Sequence, residues 1–211
     1  MLCSAWKVSI VVALLAAGVS GCGKSDNPSP VAQNNATQSG ATPVPGPPKQ
    51  VPADATPDQV VTVFLDAMRA ADAPTIEALL TTKAKEETVR HNMPVEPVAA
   101  PHAQFQVAAP QYLPMNPNGA HVQAQWVETD GMDTYTHSVI WVLRRQAEGW
   151  RIAGFAIELI PGQGPQFLNF EDPADMLQKQ KEAIAFAEAA ANQAAAQQAI
   201  QPVPPAGTQL K

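Results

Sequence analysis

Two alternating apolar runs between residues 134 and 159 constrain the fold of this chain more than any other feature. In the first run two sets of side chains alternate: Tyr135, His137, Val139, Trp141 and Leu143 against Thr134, Thr136, Ser138, Ile140 and Val142. A period of two among β-branched and aromatic residues predicts a strand. The charged segment 144–149 is typical of a hairpin loop, and residues 150–159 are predicted to return antiparallel. Both strands are apolar enough to need cover from the rest of the chain.

Composition limits the classes of protein that this chain can belong to. Its 211 residues carry a formal charge of −6, and its 13 lysines and arginines are scattered. The sequence contains no cluster of lysines and arginines that could contact the phosphate backbone of a nucleic acid, so nucleic acid is not expected as a partner. Cys3 and Cys22 are the two cysteines, which excludes a disulfide framework and a thiolate zinc site.

The amino terminus has the organisation of a secretory signal. One positive charge precedes an apolar run over residues 8–19, which is too short to span a bilayer comfortably. The run ends in Val19-Ser20-Gly21-Cys22, and this motif resembles the lipobox of bacterial lipoproteins. The resemblance implies a signal peptide over residues 1–21 and acylation of Cys22, with palmitate among the acyl chains and the lipid bilayer as partner. An ordinary signal peptide with an incidental cysteine is the alternative.

The residue after the cysteine carries a further implication of the same resemblance. In lipoproteins that are retained in the inner membrane, the residue after the cysteine is Asp, and this chain has Gly23 at that position. The resemblance therefore implies that the protein is anchored in the outer membrane of a bacterial envelope and faces the periplasm. Residues 22–54 are rich in Pro, Ser, Asn, Gln and Ala and are predicted to be a disordered tether. Such a tether holds a domain on the order of 30 Å from its anchor.

The folded domain is predicted over residues 55–170 and begins with helices. Thr56, Pro57 and Gln59 form the start of the first helix. Its apolar face is predicted to hold Val60, Val61, Phe64, Met68 and Ala71. Asp72 is predicted to cap a second short helix, and Thr81 or Thr82 to start a third segment that reaches about residue 91.

Strands follow the helices. Phe105 and Val107 mark a short strand, residues 114–119 read as a turn, and residues 120–128 alternate again. In that last run Trp126 and His121 lie on opposite faces. Residues 130–131 are predicted to turn the chain into the 134–159 hairpin. Helices followed by an antiparallel meander of about four strands predict an α+β fold.

Three segments carry a resemblance to a known superfamily. They are residues 57–68 (PDQVVTVFLDAM), 71–80 (ADAPTIEALL) and 149–155 (GWRIAGF), and they resemble the nuclear-transport-factor-2-like superfamily, in particular its short bacterial lipoprotein members. The resemblance implies a curved antiparallel sheet that wraps the helices into a cone with an apolar pocket. Some members of that superfamily are enzymes, and many only bind or assemble.

The resemblance directs attention to one face of the central strand. Tyr135, His137 and Trp141 share that face, and His121 and Trp126 on the neighbouring strand complete the candidate pocket. His137 is the candidate for a general base, although the pattern commits no residue to catalysis. The alternatives are a polar rim for the tyrosine and histidines and a core role for the tryptophans.

Other chemistry has little support in the sequence. Ser138 lies in a predicted strand without a nucleophile motif, and no two of the four histidines stand at metal-ligand spacing. We therefore predict no metal and no cofactor.

The carboxyl-terminal region is predicted to be a separate helix. Residues 171–201 are rich in Ala and Gln, with Leu177, Ile184 and Ala191 at heptad steps. This helix either mediates self-association or partner binding, or packs loosely; residues 202–211 are predicted to be disordered. The sequence thus predicts an envelope lipoprotein whose domain binds a small apolar ligand or an envelope protein without catalysis. The alternatives are a pocket enzyme of isomerase, dehydratase or hydrolase type, and a structural protein acting through the carboxyl-terminal helix.

Overall fold

The computed structural model describes residues 47–130 and 133–199. Its helices are α1 (Pro57–Ala70), α2 (Ala73–Leu79), α3 (Thr82–Arg90) and α4 (Pro173–Ala199); its strands are β1 (Gln104–Val107), β2 (Gln111–Leu113), β3 (Asn116–Asp130), β4 (Asp133–Gln146), β5 (Gly149–Ile157) and β6 (Gln166–Asn169). The predicted α+β class is confirmed, with six described strands instead of about four. The predicted signal peptide, Cys22, most of the tether and the segment 202–211 lie outside the described residues.

The strands form one antiparallel sheet built on a long hairpin. The order is β1-β3-β4-β5-β6, and β2 also pairs with β3. The pairing of β3 with β4 runs without a register shift from Gly119 opposite Arg144 to Asp130 opposite Asp133. β5 pairs with β4 only from Ile140 onwards, so the outer half of the hairpin extends past β5.

The helices begin where local hydrogen bonding favours them. Gln59 Oε1 accepts a bond from Thr56 N at 3.0 Å, Asp72 Oδ1 from Thr75 N at 3.1 Å, and Thr81 Oγ1 from Ala84 N at 3.1 Å. These contacts confirm the three predicted helix starts. Ala71 was expected on the apolar face of α1, but it is the exposed C-cap with φ 59°, because the chain must leave the helix there.

The core lies between α1 and one face of the sheet, which we call the inner face. Val60, Val61 and Phe64 of α1 are buried. They belong to one apolar cluster with residues of the three longest strands, including Val122, Leu143 and Ile152. Burying each of these side chains contributes about 1.5–3 kcal/mol to stability, so the fold depends chiefly on this layer.

Two predicted turns are shorter than expected. Residues 116–119 belong to β3, so the turn after β2 comprises only residues 114–115. Likewise β4 and β5 extend into the expected loop and leave residues 147–148 as the turn. Gly149 makes this second turn feasible, because it has φ +106° and a Cβ there would lie 2.8 Å from the carbonyl oxygen of Ala53.

The chain before α1 packs on the domain from Lys49 onwards. Lys49 N donates to Thr75 Oγ1 at 2.8 Å, and its Nζ contacts Asp66 Oδ2 at 2.7 Å. Val51 is partly buried against the core and Ala55 is buried. Residues 49–54, which the sequence predicts to be part of the tether, are therefore attached to the folded part.

The first turns of α4 contact the domain. Asp172 Oδ1 accepts a bond from Asp175 N at 3.2 Å, which confirms the predicted cap. Met176 is buried, and Lys179 Nζ donates to Phe167 O at 2.8 Å. Residues 184–197 are exposed. Within the described ranges, no helix combines the length and the apolar character needed to cross a membrane.

Candidate functional site

The central part of the inner face is defined by cross-strand pairs between β3 and β4. Trp126 pairs with His137, Ala124 with Val139, and Val122 with Trp141. Because side chains alternate along a strand, these residues all lie on the side of the sheet that α1 covers.

A first row of aromatic side chains crosses this face. Phe105 pairs with Trp126, and their rings are stacked with centroids 6.1 Å apart and planes 6° from parallel. His137 continues the row on β4. Trp126 Nε1 donates to Glu128 Oε1 at 2.5 Å, so this indole has its partner on the same strand.

A second aromatic row lies deeper in the core. The Trp141 ring is 4.9 Å from that of Phe64 on α1 and 5.6 Å from that of Phe155 on β5. Phe155 in turn lies 5.7 Å from Phe170. Edge-to-face and tilted contacts of this kind are favourable beyond the area that they bury, so they fix the orientation of the Trp141 indole.

Smaller side chains separate the two rows. Ala124 and Val139 pair across β3 and β4, and Val139 remains partly exposed although Trp141 beside it is only 7% exposed. Both side chains are smaller than the aromatic ones of the two rows, and Val139 packs against the apolar core cluster. We call His137, Val139 and Trp141, together with Trp126 and Ala124 opposite the first two, the His137–Trp141 site.

The His137–Trp141 site contains two buried nitrogen atoms without a hydrogen-bond partner among the described residues, His137 Nε2 and Trp141 Nε1. Leaving a buried polar group unpaired costs about 1–3 kcal/mol. The two residues are four apart on one strand, so their Cα atoms are about 13 Å apart. The site therefore offers two separated polar positions with the apolar side chain of Val139 between them.

The structure separates His121 from this site. His121 pairs with Val142, on the face opposite to that of Trp126 and His137. Its inclusion in the candidate pocket was wrong, because the alternation along β3 that brings Trp126 inside turns His121 outside. Tyr135 is on the inner face but near the hairpin tip, opposite Glu128 and 36% exposed.

Phe105 and Glu128 were not predicted as site residues. Phe105 comes from a strand of four residues, and its place beside Trp126 depends on the register of β1 against β3. Glu128 is two residues from Trp126, a spacing that places both side chains on one face of a strand. This spacing is the sequence signal from which Glu128 could have been predicted as a neighbour of Trp126.

Charged groups lie at the edge of the aromatic row, on α1. The Arg69 guanidinium lies 5.3 Å from the centre of the Phe105 ring and donates to Asp66 Oδ1. Hydrogen bonds from Lys49 and then from Arg69 lower the pKa of Asp66, and burial opposes them. In residues 47–130 and 133–199, no three His, Cys, Asp or Glu residues are grouped so as to hold a metal ion.

Comparison with protein-family models, with curated proteins and with solved structures gave no match for this chain.

Proposed function

We propose that this protein is a lipid-anchored lipoprotein of the bacterial envelope whose single domain binds a small, mainly apolar ligand at the His137–Trp141 site. The observation that carries the binding proposal is the pair of buried, unpartnered nitrogen atoms of His137 and Trp141. A ligand with polar atoms at both ends of an apolar body would pair with them and remove the cost of leaving them unpaired.

The proposal includes a finer description of the fold. The helix-covered sheet is consistent with the nuclear-transport-factor-2-like cone that residues 57–68, 71–80 and 149–155 resemble. In such a cone the inner face of the sheet is the wall of the pocket, which is where the His137–Trp141 site lies. The lipobox motif ending in Cys22 supports the anchor, and Gly23 supports the outer membrane.

Native mass spectrometry of the full chain, extracted gently in mild detergent, tests the binding proposal. We expect a retained small molecule of defined mass. Val139→Trp should place a bulky ring between His137 and Trp141 and abolish retention, whereas Gln123→Trp, at an exposed position on the opposite face of β3, should leave retention unchanged. A folded full chain that carries no small molecule contradicts the proposal.

A second candidate function uses the same site. If His137 Nε2 is the basic nitrogen, it is free to take a proton from a bound substrate, as in a pocket isomerase or dehydratase. His137→Ala would then abolish turnover of a substrate that the variant still binds, whereas for a binding protein the variant would only weaken binding.

The third hypothesis is a structural protein that acts through α4, and the exposed apolar residues of this helix do not favour it. Its large exposed apolar residues, Ile184 and Phe186, are two positions apart and so point about 200° apart around the helix. They do not form one apolar stripe, which a helix-in-groove or coiled-coil partner would need.

A further inference from the structure

The outer half of β4 has one edge that no described residue pairs with. Residues 133–139 pair with β3 on one side, and β5 begins its pairing with β4 at Ile140. β5 stops there because the chain turns: Glu158 Oε1 accepts a bond from Gly162 N and Gln163 N donates to Ile160 O at 3.1 Å. The chain then returns as β6 along the opposite edge of β5.

The direction of the backbone groups on this edge follows from the register. Ala108 N donates to Gln123 O at 2.9 Å, so the backbone groups of Gln123 point towards β1 and away from β4. In an antiparallel ladder that direction alternates from residue to residue. The N–H and C=O groups of Thr134, Thr136 and Ser138 therefore point to the open edge, and those of Tyr135 and His137 point to β3.

This edge lacks the features that usually protect a strand from pairing with another chain. Such features are prolines, lysines, bulges and very short length. Residues 134–143 contain no charged residue and no proline, and the β3–β4 ladder has no register shift over residues 133–139. Thr134, Thr136 and Ser138 are exposed as well.

We propose that two copies of this chain pair antiparallel along this edge of β4, about a two-fold axis at Thr136. This register pairs Thr134 with Ser138 of the other copy and Thr136 with its own equivalent, so that hydroxyl groups lie opposite hydroxyl groups on one face. All seven residues of the segment pair, with about six backbone hydrogen bonds. No like charges lie opposite each other, since Asp133 faces the partner's Val139.

A two-fold arrangement closes on itself and uses one surface twice. In the antiparallel direction the segment can pair with an identical segment along its whole length, so a second copy of this chain fits the open edge. The contact is small in comparison with stable dimer interfaces, so we expect a dimer that dissociates on dilution. The pairing joins the two sheets and places Tyr135 and Asp133 of one copy opposite His137 and Val139 of the other, two residues of the His137–Trp141 site.

Sedimentation velocity of the full chain in mild detergent tests the proposal. Protein concentrations of roughly 1 to 500 µM are needed, because a small interface is expected to bind weakly. Thr136→Pro should remain folded, because the proline removes an N–H that points to the open edge, and it should be monomeric throughout. Thr136→Lys, which places like charges opposite each other, should raise the dissociation constant at least tenfold. Gln125→Lys, on the same face of β3, is the matched control and should dimerise normally.

Cross-linking tests the register. In the lipoprotein proposed above, Cys3 leaves with the signal peptide and Cys22 is acylated, so Thr136→Cys supplies the single free thiol. Its Cα atom would lie about 5.5 Å from its equivalent, within disulfide range, and mild oxidation should link the dimer; Gln125→Cys should not link.

A wild-type chain that stays monomeric over the whole concentration range overturns the proposal, as does a dimer that Thr136→Pro and Thr136→Lys both leave intact. Pairing of this edge with an extended segment of another protein would give that monomeric result.

Discussion

Asp66 accepts hydrogen bonds from two cations, Lys49 and Arg69, at 2.7 and 2.5 Å. These bonds lower the pKa of its carboxyl below the ordinary value of 3.8. A carboxyl with a lower pKa in the folded protein than in the unfolded chain stabilises the fold above the unfolded pKa, and this contribution is lost as the pH falls through the folded pKa.

We therefore expect Asp66→Asn to lower the free energy of unfolding at pH 7, by less than about 1 kcal/mol because the groups are partly hydrated. The difference from wild type should shrink as the pH falls below 3.8. Urea unfolding at a series of pH values measures it. Glu77→Gln, on the exposed side of α2, is the control; a deficit that is the same at every pH would contradict the assignment.

At the same scale, the sequence predicted the inner-face residues of β4 but not their environment. The alternation alone places Tyr135, His137 and Trp141 on one face. Whether a nitrogen in that face has a partner depends on side chains from other elements, such as the Phe64 ring that packs on Trp141. The alternation along β3 places His121 on the face opposite to that of Trp126, although both lie on the strand next to β4.

Among the elements, α4 divides into an attached and an exposed part. We expect truncation after Gln180 to change the free energy of unfolding by no more than about 0.5 kcal/mol, since residues 184–197 are exposed. Thermal and urea unfolding measure this. Met176→Ala, in the attached part, should cost about 2–4 kcal/mol because that side chain is buried. A loss clearly above about 0.5 kcal/mol on truncation would mean that the distal helix packs on the domain.

The elements with local signals could be predicted and those without could not. The helix starts follow from side-chain caps, and the long strands follow from their alternation. β2 has three residues, too few for a period to be recognised, and β6 (QFLN) does not alternate between apolar and polar residues. Both pair with a longer neighbouring strand. Asn116 to Gly119 read as a turn by composition, but pairing with β2 and β4 extends β3 through most of that stretch.

Across the whole molecule, Glu171 joins parts that are distant in sequence. Its carboxylate accepts a bond from Thr81 Oγ1 at 2.8 Å and lies 3.1 Å from Arg144 Nε, and its side chain is 8% exposed. Thr81 also caps α3, and its N–H donates to Ile152 O at 2.9 Å. One carboxylate thereby connects the start of α3, the end of β4 and the start of α4.

Replacing Glu171 should destabilise the whole fold. We expect Glu171→Ala to cost about 2–3 kcal/mol, because Thr81 and Arg144 both lose their partner. Glu171→Gln should cost less, since an amide oxygen still accepts the bond from Thr81. Chemical unfolding followed by circular dichroism compares the two with Glu188→Ala, an exposed residue of α4; equal losses for the alanine and glutamine variants would contradict the role given to Thr81.

The attachment of residues 49–55 determines how tension on the amino-terminal chain would enter the domain. With Cys22 anchored as proposed, a pull on the domain would first load the two contacts of Lys49, with Thr75 and Asp66, and not the ladder of the sheet. Once released and fully extended, these seven residues would span at most about 25 Å before α1 was strained. The segment would lengthen and shorten reversibly. The distance of the domain from the membrane would then depend on whether Lys49 contacts Thr75 and Asp66.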